Sequence, residues 1–177
     1  MSQSAFIVRV PEAEPHVAHW RDRFDPSARL GVPAHITLLF PFMSPELISI
    51  AVREQLSRLA ASIASFTFEL ASIKRFPGVL YLAPEPAAPF IALTKRLAAQ
   101  FPEFQPYGGQ HEDIVPHLTV ARATEPELAH VEAELAASLG GVPLVAECTE
   151  FSLIENSTGL WRLAHNFPLA AGTPTDG

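Results

Sequence analysis

The 177-residue sequence predicts an α+β fold: a bilobal, pseudo-two-fold duplication in which antiparallel sheets flanked by helices surround a central cleft. Three observations lead there. Segments with strand periodicity alternate with segments of helical periodicity along the whole chain. A short motif occurs twice, as His35-Ile36-Thr37 and His117-Leu118-Thr119, 82 residues apart. Other landmarks recur in near step. Leu47 and Leu128, each closing a Pro-Glu-Leu triplet, are 81 apart; Glu69 and Glu147 are 78 apart, and Tyr81 and Trp161 are 80 apart. A nearly constant offset is the signature of an internal repeat. One bilobal domain over residues 1–177 is expected.

The elements follow in order. Phe6 to Val10 reads as a strand stopped by Pro11, and residues 12–24 suit an amphipathic helix. Gly31 and Pro33 close a loop before the first motif strand, His35 to Phe40. Ser44-Pro45-Glu46 starts a helix, with a cap, a proline in the first turn and an acid beside it. That helix is expected to reach Ile63, its apolar face made by Leu47, Ile50, Ala51, Leu56, Leu59 and Ile63. Phe66 to Phe76 alternates as a strand, turns at Pro77-Gly78 and returns as Val79 to Leu82. Residues 89–101 are helical, and 102–115 form a loop rich in Pro, Gly, His and acids. The second motif strand, Pro116 to Arg122, comes next. Thr124-Glu125-Pro126 starts a helix that ends at Gly140-Gly141. Val142 to Ala146 begins a strand that Glu150 to Ile154 extends, and Leu160 to Leu163 returns after a turn. Residues 170–177 read as a loose tail.

Composition narrows the function. The net charge of −7 argues against broad affinity for duplex DNA, which needs many Lys and Arg contacts to phosphate. One cysteine, Cys148, permits no internal disulfide and no cysteine zinc site, and reads as a packing residue. The N-terminus lacks a basic-then-apolar leader, and no apolar stretch approaches a membrane span, so a soluble cytoplasmic protein is expected.

The paired motif carries the chemistry. Side chains alternate along a strand, so His35 and Thr37 share one face, as do His117 and Thr119. An imidazole titrates near neutrality, so of two such groups one can accept a proton while the other donates one. Hydroxyls can hold the non-bridging oxygens of a phosphate ester. Either motif alone reads as a structural strand; two in step on a repeat read as one site.

Taken together, Pro33-Ala34-His35-Ile36-Thr37-Leu38-Leu39-Phe40 and Pro116-His117-Leu118-Thr119-Val120-Ala121-Arg122 resemble the two motifs of the two-histidine phosphoesterase superfamily, which includes 2′-5′ RNA ligase and cyclic phosphodiesterase enzymes. The resemblance runs from about Phe6 to Leu169. It implies both motifs in one cleft, with His35, Thr37, His117 and Thr119 catalytic. It also implies no cofactor or metal, and 2′,3′-cyclic phosphate ends of RNA or small nucleotides as substrates. Hydrolysis and ligation both remain open, as does which histidine is the base.

Three further residues are substrate-binding candidates. Arg122 could hold phosphate, but its odd offset from His117 points it to the opposite strand face unless a bulge intervenes. Tyr81 and Trp161 could stack on a base. Phe40, at the repeat position of Arg122, reads as core. His111-Glu112-Asp113 reads as a solvated loop over the cleft, and His16, His19, His130 and His165 as surface or helix-face residues. A non-catalytic RNA-end or nucleotide-binding module, and a metal-dependent hydrolase, are the competing readings. Nothing in the sequence sets the oligomeric state.

Overall fold

A computed structural model describes residues 1–110 and 113–172. Among these residues eight strands and five α-helices follow one another as β1 (Ser4–Arg9), α1 (Glu14–Phe24), α2 (Pro26–Arg29), β2 (His35–Leu39), α3 (Ile50–Ala61), β3 (Phe66–Phe76), β4 (Val79–Glu85), α4 (Ala88–Gln100), β5 (Leu118–Arg122), α5 (Glu125–Leu139), β6 (Leu144–Cys148), β7 (Glu150–Glu155) and β8 (Arg162–Pro168). The strands form two antiparallel four-stranded sheets, ordered β2-β1-β7-β8 and β5-β4-β3-β6.

Laying one order on the other exposes the duplication. β1-α1-β2 corresponds to β4-α4-β5, with a motif strand at one edge of each sheet. The repeats interleave. β3, the last strand of the first repeat, pairs with β4 of the second. β7, late in the second, pairs with β1 of the first. Helices are exchanged as well: α1 packs on β5 and α4 on β2. One apolar cluster therefore takes Phe6, Val8 and Ile36 from one sheet, Leu80, Leu82 and Val120 from the other, and Val17, Phe90, Leu97 and Leu128 from helices.

Several expected boundaries move for identifiable reasons. The helix expected from Ser44 is broken. Pro45–Leu47 is a single 3-10 turn, and a new cap forms where Ser49 Oγ accepts from Val52 N–H. Leu47, Ile50 and Ala51 face water, and the buried stripe is instead Leu56, Leu59 and Ala60, with Val52 and Ile63 beside it. In the second Pro-Glu-Leu triplet a capping box joins Thr124 and Glu127 and Leu128 is buried, so the two triplets are not structural equivalents.

Val142 to Ile154 is not one strand. β6 pairs with β3 in one sheet and β7 with β1 in the other, and the chain crosses between them at Thr149. The short helix α2 was not expected from sequence. It is capped by Asp25, whose carboxylate accepts from Ser27 N–H. The tail is tied down as far as Gly172: Ser65 N–H donates to Ala170 C=O and Ala170 N–H to Ile63 C=O. Residues 173–177 lie outside the described part. Among the described residues no helix is long and apolar enough to cross a membrane.

Buried Cys148 has its thiol pushed up to about 12 by desolvation, which removes the thiolate a nucleophile needs.

Candidate active site

The two motif edges face each other. His35, Thr37, His117, Thr119, Arg122 and Trp161 all line one cleft of about 470 Å³ between the lobes.

Local strand geometry explains this arrangement residue by residue. On the β1–β2 ladder Ile7 opposes Thr37 and Phe6 opposes Leu39, leaving Leu38 as an extra residue. On the β4–β5 ladder Tyr81 opposes Thr119 and Leu80 opposes Ala121, leaving Val120 extra. Each motif strand thus carries a β-bulge one residue past its threonine. A bulge shifts the alternation by one, so the residue three beyond the threonine rejoins the cleft face. That residue is Phe40, just past the end of β2, and Arg122, the last residue of β5, and both line the cleft. The odd offset of Arg122 is thereby resolved. Phe40 is corrected from core to half-buried cleft wall, packed edge-on against Trp161 with centroids 6.1 Å apart.

Both imidazoles are held alike. His35 Nδ1 lies 2.7 Å from the carbonyl of Pro33, and His117 Nδ1 lies 2.7 Å from the carbonyl of Val115. A carbonyl only accepts, so each Nδ1 must carry a proton, and in the neutral ring Nε2 is the free lone pair. Burial lowers both pKa values. His35 falls to about 4, with Arg21 adding to the effect; His117 falls as well, with Arg122 adding to it.

Folding is coupled to this protonation. The unfolded chain protonates His35 near its ordinary pKa, while the folded chain resists until about 4. Stability is therefore full above the ordinary value and is lost as pH falls from there toward 4. Urea denaturation at pH 7 and pH 5 should show the wild type losing more stability on acidification than His35→Gln; equal losses would refute this.

Tyr81 and Trp161 are not equivalent, despite their 80-residue offset. The ladders match Tyr81 with Ile7. Tyr81 is buried, stacks on Phe76 at 4.3 Å, and meets His117 edge-on at 5.5 Å. It supports the His117 ring and does not offer a face to a base, so the stacking expectation is corrected. Trp161 sits outside β8, in the turn before it. Its backbone N–H donates to Leu30 C=O, and Gly31 (φ +96°) permits the approach, since a Cβ there would lie 2.8 Å from the Trp161 carbonyl oxygen.

Asp25 and Tyr107 are among the cleft residues that sequence reasoning missed. Asp25 lines the cleft, but its carboxylate is committed: Arg21 donates to it from Nε and Nη2, and Ser27 from N–H and Oγ–H. Tyr107 also lines the cleft and shares a hydrogen bond with the Thr37 hydroxyl; burial raises its phenol pKa. Asp-Pro-Ser is a legible cap signal for the first. Tyr107 lies in a Pro-Tyr-Gly-Gly turn, and only its place before a motif strand hinted at it. Of the His111-Glu112-Asp113 loop, His111 and Glu112 lie outside the described residues. His16 bonds Ser138, and His19 and His130 pack on Trp20, away from the cleft. Among the described residues no three His, Cys, Asp or Glu side chains converge as metal ligands would.

A family model described as the 2′-5′ RNA ligase superfamily matches residues 10–160. A Bacillus pumilus protein provisionally named a phosphoesterase is 33% identical over 107 residues, 58% of this chain and 59% of its own length, so the match spans little more than half of that relative. Among solved structures, TT0787 of Thermus thermophilus superposes with a TM-score of 0.66 at 21% identity, covering 97% of this chain and 100% of that one. Escherichia coli LigT complexed with 3′-AMP gives 0.62 at 22% identity, covering 95% and 98%.

Proposed function

The chain belongs to the 2′-5′ RNA ligase superfamily, and from that membership and the paired histidines of the cleft we propose a metal-independent phosphodiesterase acting on 2′,3′-cyclic phosphate ends of RNA or small nucleotides in the cytoplasm. It is a phosphoesterase-type enzyme. The observation that carries the finer reading is the symmetry of the two imidazoles. Each has Nδ1 anchored on a backbone carbonyl, leaving Nε2 for proton transfer.

In this reading the phosphorus lies between the rings. Neutral His35 takes a proton from the attacking water as the new P–O bond forms. Protonated His117 gives its proton to the ribose oxygen as the old P–O bond breaks. The assignment follows the lower pKa of about 4, which keeps His35 neutral across the physiological range. Thr37 and Thr119 hydroxyls and the Arg122 guanidinium hold the non-bridging oxygens. Trp161 and Phe40 form an apolar wall suited to a base or ribose. The presence of 3′-AMP in the LigT structure supports a nucleotide ligand. An acidic chain with a cleft lined by two imidazoles and Arg122 suits a small anionic substrate better than a long duplex.

The pH profile tests the assignment. The active free form needs His35 neutral and His117 protonated. kcat/KM should rise through about 4, peak on the acid side of 6.5, and fall about tenfold per pH unit once His117 loses its proton. Excess chelator should leave the curve in place. Turnover abolished by chelator and restored by a divalent ion would overturn the metal-independent reading.

A further inference from the structure

His117 is braced by a part of the chain that neither motif contains. Phe76 closes β3, and its ring stands edge-on to the imidazole, with centroids 5.2 Å apart and planes at 88°. Tyr81 of β4 meets the same imidazole at 5.5 Å and 65°. The two rings stack on each other at 4.3 Å with their planes 24° apart, so they present one aromatic slab to His117. Strand register explains the pairing. Lys74 opposes Tyr81 and Phe76 opposes Val79, which makes Phe76 and Tyr81 diagonal neighbours on one face of the β3–β4 hairpin. Tyr81 also opposes Thr119, so that face lies beside the second motif.

The slab is anchored in turn. At the hairpin tip Gly78 C=O accepts from Ala123 N–H at 3.2 Å, one residue past β5. Arg75 precedes Phe76, and alternation turns it to the other face. There its guanidinium donates to Glu125 at 2.7 Å from Nη1 and to Glu132 at 2.8 Å from Nε, both carboxylates on α5. The hairpin is thus held by α5 on one face and presses its aromatic pair on His117 with the other.

The imidazole needs such a brace. The bond from Nδ1 to the Val115 carbonyl fixes one atom of the ring. The tilt about that atom, and so the direction of Nε2, is set by what packs against the ring. Proton transfer demands heavy atoms within about 2.6–3.2 Å of one another, and a displacement of about 1 Å can cost a hundredfold.

We propose that Phe76 is a positioning residue for the general acid: its ring, stacked on Tyr81, holds the His117 imidazole with Nε2 aimed at the ribose oxygen that receives its proton. The proposal rests on the phosphodiesterase reading of the cleft. Phe76 moves no proton itself and acts only through His117.

Phe76→Leu tests this, because it removes the ring and keeps an apolar side chain. Phe76→Tyr is the conservative partner. It keeps the ring, and the half-buried position opens on a 750 Å³ cavity shared with His117 and Arg122, which can take the added hydroxyl. Kinetics on a 2′,3′-cyclic nucleotide are read beside the imidazole nitrogen shifts of the ligand-free protein by NMR at about pH 8, where the ring is neutral. In Phe76→Leu kcat should fall about ten- to a hundredfold with KM within about twofold. The two His117 nitrogen shifts, far apart in wild type because Nδ1 alone carries the proton, should draw together as the ring loosens and the tautomers mix. Phe76→Tyr should restore most of the turnover and the wild-type separation of the shifts. The thermal midpoint should stay within about 5 °C of wild type. Were it to fall further, Phe76→Met, with a longer apolar side chain, would carry the same readouts. Unchanged nitrogen shifts without the ring would overturn the proposal. So would a rise in KM that accounts for the whole loss in kcat/KM, which would make Phe76 a substrate contact. A wild type that turns over no cyclic nucleotide, while the shifts still respond to Phe76→Leu, would sink the reaction and leave the brace standing.

Discussion

Replacing either His35 or His117 by alanine is expected to lower kcat on 2′,3′-cyclic nucleotides by about a hundredfold or more, since removing a positioned general acid or base costs roughly that much. The two variants should differ in pH dependence. His35→Ala loses the acid limb near 4, while His117→Ala loses the limb below 6.5. Groups that act as a unit are not additive, so the double variant should be little slower than the worse single. KM should change far less than kcat, because Thr37, Thr119 and Arg122 would still hold the phosphate. Each ring bonds to its own local carbonyl, so the substitutions should leave the fold intact. Turnover that persists in both single variants would remove the acid–base mechanism altogether.

Asp25→Ala is expected to be the costliest substitution for stability. Arg21 and Asp25 are each 2% exposed, and the guanidinium also donates to Ser27 Oγ and to Val32 C=O. Removing the carboxylate strands a buried cation and strips the α2 cap from Ser27. Loss of one partner from a buried ion pair costs about 3–5 kcal/mol. The effect should appear in urea denaturation as a lower midpoint with an unchanged slope. Arg21→Met combined with Asp25→Ala should recover part of the loss, because no charge is then left unpaired. A single-variant loss below about 1 kcal/mol would show that the pair contributes little. Since this loop shapes the cleft wall beside His35, KM should rise in any Asp25→Ala enzyme that still folds.

The repeat was legible because its strongest marks are local. His-x-Thr on a strand fixes which side chains share a face, and the helix ends carry capping and glycine signals that need no partner. The misreadings share a physical origin. A Pro-Glu-Leu triplet looks alike in both copies, yet a second cap at Ser49 competes for the first helix and wins. The equivalence of Tyr81 and Trp161 rested on offset alone. Strand pairing instead matches Tyr81 with Ile7, because the repeats exchange strands and helices.

Local patterns in the chain suffice for the α+β class, the duplication, the two motif strands and the side-chain faces of His35, Thr37, His117 and Thr119. These follow from alternation, capping and proline or glycine chemistry, all of which act within a few residues. Long-range packing sets the interleaving of the repeats, the bulges at Leu38 and Val120 that bring Phe40 and Arg122 into the cleft, and the meeting of Tyr107 with Thr37 across the seam. A bulge depends on which strand is the neighbour and in what register. A cleft wall depends on which loops meet. Both are properties of contacts between residues far apart in the chain, and no local pattern encodes them.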